Sequence, residues 1–274
     1  MDRIESLGSN SKWSSCKETV DYIKLTEFKT PEKMTYGRFK EYEENIKIIN
    51  QEVTIRHHAG STQIQCDIIK WWDLVYAYLM SRCLSSCSNN KFSAILVDPP
   101  WDNTGCKLGY PTLKDEMWMS NINFGSLVEN GLVFMFVTAS KDTAAIRYME
   151  SQGFTKSDRI TWVKGSKSGE LLRREGYYLW HSEEVRLIFK KKQHGILDKY
   201  FMVPRTSGNV ILSQPTGKIS QKPFQIYDVI EEMVPLGPKL EIFGRAHSQR
   251  QGWITIGNES ITYLEKDRKS NLNS

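Results

Sequence analysis

Short apolar runs alternate with amphipathic stretches over most of this 274-residue chain, from about residue 62 to residue 257. A short apolar run bounded by turn residues predicts a buried strand, and apolar residues at helical spacing predict a helix. Strands joined through crossover helices form mainly parallel sheets with helices on both faces. The sequence therefore predicts an α/β fold, with strands at residues 92–97, 131–137, 158–163, 184–189, 239–244 and 253–257.

The segments that flank this central region are more polar. We expect residues 1–61 to form a partly disordered N-terminal arm with one helix, because Thr30 and Pro31 are helix-start signals. The α/β domain is predicted over residues 62–262, and a charged polar tail is predicted over residues 263–274.

The composition argues against several classes of protein. The apolar fraction is 39% with eight Trp, enough for a core, and the longest apolar runs are far too short to span a bilayer. The N-terminus is acidic and lacks the apolar core of a secretion signal. The five Cys are irregularly spaced, so we expect free thiols in a reducing compartment and no metal site. The net charge of +5 is compatible with a nucleic-acid partner.

Two predicted strands end in loops that carry reactive groups. Strand 92–97 runs into Asp98-Pro99-Pro100-Trp101, and strand 239–244 runs into Gly244-Arg245-Ala246-His247. Ligands of parallel sheets bind beyond the carboxyl ends of the strands. We therefore expect ligands to bind at these two loops.

The segment from Asp98 to Trp101 has the groups that methylation of an exocyclic amino group requires. The lone pair of such a nitrogen is delocalised into the ring, and two acceptors bonded to its hydrogens would return electron density to it. The Asp98 carboxylate and the Pro99 carbonyl offer these acceptors, and consecutive prolines hold that carbonyl in a defined direction. Trp101 offers a face on which a base can stack. The alternative is a strand that ends in a tight proline turn, with Trp101 in the core.

The second loop indicates a cofactor site. Gly244 allows the backbone to approach a ligand closely, and Arg245 and His247 can donate to a ribose or a carboxylate. Lys222 opens the preceding helix, where a cation opposes the helix dipole unless it meets an anion such as a cofactor carboxylate. The alternative for Lys222 is a solvated surface lysine.

Together these motifs resemble the MT-A type family of eukaryotic adenine N6-methyltransferases. That family includes the catalytic subunit of the mRNA m6A writer and DNA-methylating relatives in unicellular eukaryotes. The resemblance runs from about Gln65 to Glu259, and the motifs keep the order and spacing of the family. The motifs are Cys66-Asp67-Ile68, Asp98-Pro99-Pro100-Trp101, Tyr110 with Thr112, Trp162-Val163-Lys164, His181 with Glu184, Ser220-Gln221-Lys222-Pro223, the segment from Glu241 to His247, and the segment from Trp253 to Glu259.

The resemblance implies a Rossmann-like class I methyltransferase fold, with the catalytic loop ahead of the cofactor loop in the sequence. It also implies S-adenosylmethionine as cofactor and a nuclear location. The implied catalytic residues are Asp98, Pro99, Pro100 and Trp101. The implied cofactor contacts are Asp67, Ile68, Asp98, Lys222, Phe243, Arg245, Ala246, His247, Ser248, Asn258 and Glu259. The implied substrate contacts are Trp101, Tyr110, His181 and Glu184.

The chain departs from the family pattern at Ser248 and Glu259, where the writer subunit has Asn and Gln, and in the loop 102–109, which bears on the choice of substrate. The paired zinc fingers of the writer subunit have no counterpart in this sequence, which favours DNA slightly over RNA. Family members work as heterodimers in which one subunit keeps the acidic-proline-proline-aromatic loop, so we expect this chain to be the active subunit. The basic stretch 164–169, with Arg173 and Arg174, lies where the family places a loop that meets the partner; a solvated surface loop is the alternative.

Two other functions are compatible with parts of this pattern. One is a catalytically silent subunit that binds nucleic acid for a partner. The other is a methyltransferase for small molecules or protein amines, since related loops also serve glutamine side chains. The sequence favours an active adenine N6-methyltransferase, because Asp98, Lys222, Arg245 and Asn258 are all present.

Overall fold

The computed structural model describes residues 19–22, 52–58, 60–83, 91–102, 112–176, 178–191, 202–215 and 221–261. The predicted helix after Thr30, the predicted tail, Tyr110 and most of the loop 102–109 lie outside the described residues.

The described residues form strands and short helices in alternation. The strands are β1 Thr19–Tyr22, β2 Thr54–His58, β3 Ser61–Gln65, β4 Ala94–Val97, β5 Leu132–Val137, β6 Phe154–Lys164, β7 Glu183–Lys191, β8 Val210–Ser213, β9 Lys239–Ile242 and β10 Trp253–Gly257. The α-helices are α1 Ile68–Tyr78, α2 Asp115–Asn121, α3 Phe124–Leu127, α4 Asp142–Ser151 and α5 Gln225–Met233. A π-helical turn at Leu79–Cys83 and two 3-10 turns at Ala139–Lys141 and Ala246–Ser248 are also present.

All ten described strands belong to one sheet, in the order β1-β2-β3-β10-β9-β4-β5-β7-β6-β8. The five central strands, β3, β10, β9, β4 and β5, are parallel to one another. At one edge β1 and β2 are antiparallel, and at the other edge β7 is antiparallel to both β5 and β6. The α/β prediction is confirmed, and the parallel part of the sheet is its centre. Strands β6 and β7 run antiparallel because the described residues of the segment that joins them form no crossover helix.

The sheet separates two hydrophobic clusters, so helices pack on both of its faces as predicted. On one face the side chains of α1 to α4 pack against the sheet, with Trp72, Trp118 and Met149 among the buried residues. On the other face α5 packs through Ile226 and Ile230. Every residue of β5 is buried, which explains its continuous apolar run.

Some sequence-based boundaries shift in the structure. Strands β1 and β2 precede residue 62, so the sheet extends into the predicted N-terminal arm; the division into domains stays a prediction. Ser140, a residue type that favours helix starts, lies in a 3-10 turn before α4. Gly153 follows α4 with a φ of 83°, as expected of a glycine at a helix end.

Three further predictions concern membrane spans, free thiols and metal sites. Within the described ranges, no helix is both long and apolar enough to cross a bilayer. Cys66 is a buried free thiol. In the same part of the chain, His, Cys, Asp and Glu side chains form no group of three or more that could hold a metal ion.

Candidate active site

The two loops predicted to bind ligands lie side by side at the carboxyl edge of the parallel strands. The Asp98 N–H donates to the Ile242 carbonyl at 3.4 Å, which joins the loop after β4 to the end of β9. The Gly244 N–H donates to the Ile256 carbonyl at 2.9 Å, which joins β9 to β10. The ends of three neighbouring strands therefore meet at one place.

A cavity opens between these strand ends, with an empty volume of about 420 Å³. Both predicted loops and the start of α5 contribute to its wall. The lining residues are Leu96, Asp98, Phe136, Lys222, Phe224, Tyr227, Glu241, Phe243, Gly244, Arg245, His247 and Ser248.

Asp98 is held in a cluster of paired charges. The Lys222 ammonium lies 3.3 Å from an Asp98 carboxylate oxygen and 3.0 Å from a Glu184 oxygen. The Lys164 ammonium lies 2.6 Å from the other Glu184 oxygen. Lys222 also sits 4.3 Å from the centre of the Phe136 ring. Lys222 is therefore a partly buried ion-pair residue, and the alternative of a solvated surface lysine is wrong.

The pKa values of this cluster follow from burial and pairing. Burial raises the pKa of Asp98, although Lys222 opposes that change. Burial would also raise the pKa of Glu184, but Lys222 and Lys164 outweigh it and hold the pKa at about 2. Burial would lower the pKa of Lys222, but Asp98 and Glu184 raise it above its ordinary value. Lys222 therefore favours the ionised form of both carboxylates.

The carbonyl groups of the two prolines are part of a tight turn. The Trp101 N–H donates to the Pro99 carbonyl at 2.8 Å, and the Leu113 N–H donates to the Pro100 carbonyl at 2.9 Å. A carbonyl oxygen has two lone pairs, so Pro99 keeps one for a further donor. Pro99 can therefore act as the predicted acceptor only through the lone pair that the Trp101 N–H does not use.

Trp101 lies in the core, which corrects the prediction that its ring is a stacking platform. Its side chain is 4% exposed, and its indole N–H donates to the Phe136 carbonyl at 2.8 Å. Its ring packs edge-on against Trp118, with ring centres 5.1 Å apart. The alternative interpretation, a proline turn anchored by a core Trp, describes this side chain. Phe224 is the aromatic residue that lines the cavity and is substantially exposed, at 47%.

Glycines allow the second loop to pack closely on the strands beneath it. A Cβ atom on Gly244 would lie 2.3 Å from a Thr255 methyl group, and one on Gly257 would lie 2.1 Å from the Gly244 carbonyl oxygen. Phe243, just before Gly244, has a positive φ of 65°, which non-glycine residues rarely adopt. Gly244, predicted to let a ligand approach the backbone closely, therefore also lets strand β10 pack closely against it.

Arg245 lines the cavity and pairs with Glu259 from the end of β10. The two side chains approach to 3.6 Å, and the Ala246 N–H donates to the Glu259 carbonyl at 2.7 Å. Ser248 is buried, and its hydroxyl accepts from the Arg245 N–H at 3.4 Å. The predicted cofactor residues of β9 and β10 are therefore brought together.

Glu241 is a buried acid under the second loop, and its role is missed by the sequence interpretation. The Tyr227 hydroxyl donates to it at 2.9 Å, and the Thr255 hydroxyl donates at 3.4 Å. Burial raises the pKa of Glu241 to about 8. An acidic residue between the apolar residues Leu240 and Ile242 of a buried strand is the signal that could have identified it.

The remaining predicted contacts lie near the cavity but not in its wall. The Asp67 carboxylate caps α1 by accepting from the Ile69 and Lys70 N–H groups at 2.9 and 3.3 Å, and Ile68 is buried. Both follow β3 at the same sheet edge, because the Cys66 N–H donates to the Gly257 carbonyl.

The other predicted substrate residues are spread over separate segments. His181 is exposed and pairs with Arg174 through two backbone hydrogen bonds of 2.8 Å, before β7 begins. Asn258 is exposed, beside Glu259. Glu184 is brought to Asp98 through Lys222, whereas Tyr110 lies outside the described residues.

Comparison with known proteins gives consistent matches to methyltransferases. The MT-A70 family model matches residues 92–259. The chain is 31% identical over 170 residues to the N(6)-adenosine-methyltransferase MT-A70-like protein of Arabidopsis thaliana, covering 61% of this chain and 24% of that protein. It is 32% identical over 181 residues to the N(6)-adenosine-methyltransferase catalytic subunit METTL3 of Homo sapiens, covering 65% of this chain and 30% of that protein.

A bacterial relative is matched over more of its own length. The chain is 28% identical over 197 residues to the Type II methyltransferase M.MunI of Mycoplasma sp, covering 62% of this chain and 78% of that protein. The chain thus spans less than a third of the plant and human relatives and most of the bacterial one.

Proposed function

Because this chain belongs to the MT-A70 family, we propose that it is an S-adenosylmethionine-dependent methyltransferase that acts on the N6 amino group of adenine in nucleic acid. The observation that carries the proposal is the position of Asp98. Its carboxylate lies in the wall of a cavity shared with the second loop and is held 3.3 Å from the Lys222 ammonium.

The cavity fits the chemical groups of S-adenosylmethionine. Lys222 and Arg245 offer cations for a carboxylate or ribose oxygen, and Asp98 offers an anion for an ammonium or amino group. Phe224, which is substantially exposed in the cavity wall, offers an aromatic face for a purine. When bound, this cofactor supplies a methyl group on a positively charged sulfur.

The chain's own residues then activate and place the amino group. Asp98 accepts a hydrogen bond from N6, which directs the nitrogen lone pair away from the carboxylate. The free lone pair of the Pro99 carbonyl accepts the second N6 hydrogen. Lys222 opposes the rise in the pKa of Asp98 that burial causes, and so favours the ionised carboxylate that this task needs. As the carbon–nitrogen bond forms and the methyl–sulfur bond of the donor breaks, the sulfur would leave as a neutral thioether. N6 would lose a proton to Asp98, which is already hydrogen-bonded to it. Positioning of this kind contributes much of the rate in such transfers.

The first test replaces Asp98 by Asn, which keeps the shape and removes the charge. We expect transfer of methyl groups to adenine to fall by at least about 100-fold, as when a positioned proton acceptor is removed. Mass spectrometry of adenine-containing oligonucleotides measures the product. The matched control is Asp158→Asn, an exposed aspartate on β6, which should leave the rate unchanged. A fully active Asp98→Asn variant would contradict the proposal.

We propose DNA as the preferred polymer. The support is the match over most of a Type II methyltransferase, compared with the partial matches to the adenosine methyltransferases. A duplex substrate would require the base to be flipped out of the stack, which costs a few kcal/mol, whereas a single strand would not. Matched DNA and RNA oligonucleotides, single- and double-stranded, test the choice; faster methylation of RNA in both forms would reverse it.

We propose that the chain is the active subunit of a heterodimer with a related methyltransferase-like protein, located in the nucleus. The surface that supports a partner is the segment 165–182 between β6 and β7, which we name the β6–β7 segment. Its exposed apolar side chains are Leu171, Leu172, Tyr178, Leu179 and Trp180. A concentration of exposed apolar side chains beside Arg173 and Arg174 is typical of a protein interface. Microscopy of the tagged chain tests the location.

A catalytically silent subunit is the second candidate function. The observation in its favour is that Asp98 is paired with Lys222 and that Trp101 is in the core. Calorimetric titration with S-adenosylmethionine, with and without a partner subunit, separates the two functions. Failure to bind the cofactor in both conditions would favour the silent subunit.

A further inference from the structure

Arg186 is a completely buried cation beside the proposed active site. It lies on β7, directly across from Phe136 on β5 and from Ile160 on β6, and is 0% exposed. Its guanidinium carbon lies 3.9 Å from the centre of the Phe136 ring and 6.0 Å from that of Trp162. The first distance is that of a close cation–π contact. Arg186 is therefore fixed against a ring that lines the cavity.

The guanidinium of Arg186 lacks hydrogen bonds. In the described part of the chain, none of its three nitrogen atoms has a hydrogen-bond partner. A buried charge without such bonds is costly, and an apolar side chain of similar volume often gives a more stable protein. A cation kept at this position therefore calls for an explanation other than stability.

The surroundings of Arg186 suggest that explanation. Glu184 lies two residues before Arg186 on β7, so the two side chains share a face of the strand. Asp98 follows Val97 of β4, whose partner Met135 directly precedes Phe136, the partner of Arg186. The charge of Arg186 therefore acts on both carboxylates at the same level of the sheet. Burial lowers the pKa of Arg186 to about 10, while these two anions oppose the change, so the side chain stays charged at neutral pH. In turn, Arg186 lowers the pKa of Asp98, in the same direction as Lys222.

The other titratable groups around Asp98 can be named. Lys222 precedes α5 and contacts Asp98 directly, and Lys164 on β6 contacts Glu184. Tyr227 on α5 and Glu241 on β9 also face Asp98, and neither carries a positive charge. Arg245 and His247 line the same cavity. Arg186 is thus a second cation acting on Asp98, and unlike Lys222 it makes no hydrogen bond to a carboxylate among the described residues.

We propose that Arg186 is a positioning residue for the methyl transfer: its buried charge, held against Phe136 without a hydrogen bond from any described residue, favours the anionic form of Asp98. The inference rests on the role proposed for Asp98. Because charges interact more strongly in a buried, low-dielectric environment, a cation that does not touch the substrate can still act on the carboxylate that does.

The test replaces Arg186 by Met, which keeps length and volume and removes the charge. The acid limb of the profile of kcat against pH should move to higher pH by about one unit, because Asp98 is protonated more readily. At a fixed pH on that limb, kcat should be about tenfold lower than in wild type. The melting temperature should stay the same or rise, because an unpaired buried cation is gone. Arg186→Lys restores the charge and should return the acid limb towards the wild-type position.

The matched control is Arg159→Met, an exposed arginine on β6, which should reproduce the wild-type profile. An Arg186→Met enzyme with a wild-type pH profile would overturn the inference. So would one that loses activity together with melting temperature and cofactor affinity, because that pattern describes a structural residue.

A second measurement does not depend on activity. Carbon NMR of protein labelled in its aspartate carboxyl groups follows the titration of Asp98, assigned by its loss in Asp98→Asn. We expect a higher pKa for Asp98 in Arg186→Met than in wild type. A wild-type protein that methylates no adenine would refute the proposed function, whereas an unchanged Asp98 pKa would refute the role of Arg186.

Discussion

At the scale of single residues, neighbours change the role that a side-chain type would suggest. Trp101 is in an aromatic motif at the proposed catalytic loop, yet its indole is bonded to the Phe136 carbonyl and buried. Phe224 carries no motif signal, yet its ring is exposed at the cavity. The accessible aromatic surface of the site therefore comes from a residue at the start of α5.

Replacing Phe224 by Ala should weaken the binding of an adenine ring, either that of the cofactor or that of the target base. Loss of a stacking face costs about 1–3 kcal/mol. Calorimetry with S-adenosylmethionine and fluorescence titration with an oligonucleotide that carries 2-aminopurine distinguish the two adenines. Phe224→Tyr is the control and should bind as wild type does. Unchanged affinity for both ligands in Phe224→Ala would contradict this prediction.

Glu241 should make the stability of the protein depend on pH. Its folded pKa is about 8, above its ordinary value of 4.5, so the folded state binds the extra proton. This contribution is complete below about pH 4.5 and is lost as the pH rises through about 8, at up to about 1.4 kcal/mol per pH unit. Chemical denaturation between these limits measures it.

Glu241→Gln is the control for that prediction, because it keeps the size and cannot titrate. The difference in unfolding free energy between wild type and variant should change with pH across this window and level off above it. Parallel curves for the two proteins would show that the carboxylic acid of Glu241 does not carry the effect.

At the scale of elements, the β6–β7 segment differs from the rest of the described surface. The described residues of this segment form no crossover helix, so β6 and β7 pair antiparallel. The segment therefore lies near one side of the sheet. Several large apolar side chains are exposed along it. The basic stretch 164–169 begins at Lys164, which is buried against Glu184, so the basic character of the surface comes from the residues after it.

Trp180→Ala should weaken the proposed heterodimer without unfolding the chain. Trp180 is 65% exposed, so its loss removes interface area and little core packing. Light scattering after co-expression with each related subunit of the source organism measures the association. The control is Leu236→Ala, 58% exposed but outside the β6–β7 segment. Equal loss of association in both variants, or in neither, would contradict a role for this surface.

At the scale of the whole molecule, the fold brings distant sequence segments together at one site. Asp98 and Lys222 are more than a hundred residues apart, and they meet because β4 and β9 are neighbours and α5 packs across them. Glu184 lies on β7, which pairs antiparallel with β5, and its carboxylate contacts Lys222. The site therefore depends on the order of strands in the sheet and not only on the loops.

Strands β4 to β7, β9 and β10 are readily predicted from the sequence, whereas β1, β2, β3 and β8 are not. The runs at 92–97, 131–137 and 253–257 agree closely with β4, β5 and β10, because strands buried on both faces need continuous apolar residues. Strand β3 is absent from the predicted set, because Thr62 and Gln63 give it a polar sequence. Its burial comes from its neighbours β2 and β10.

The sequence by itself determined the fold class, the family and the two loops at the strand ends, because these depend on local apolar patterns and short motifs. Only the tertiary structure decided that Trp101 belongs to the core, that Lys222 forms ion pairs with both Asp98 and Glu184, and that Arg186 is a buried cation. The physical reason is that burial and electrostatic pairing depend on which strands become neighbours, and no local pattern in this chain specifies that order.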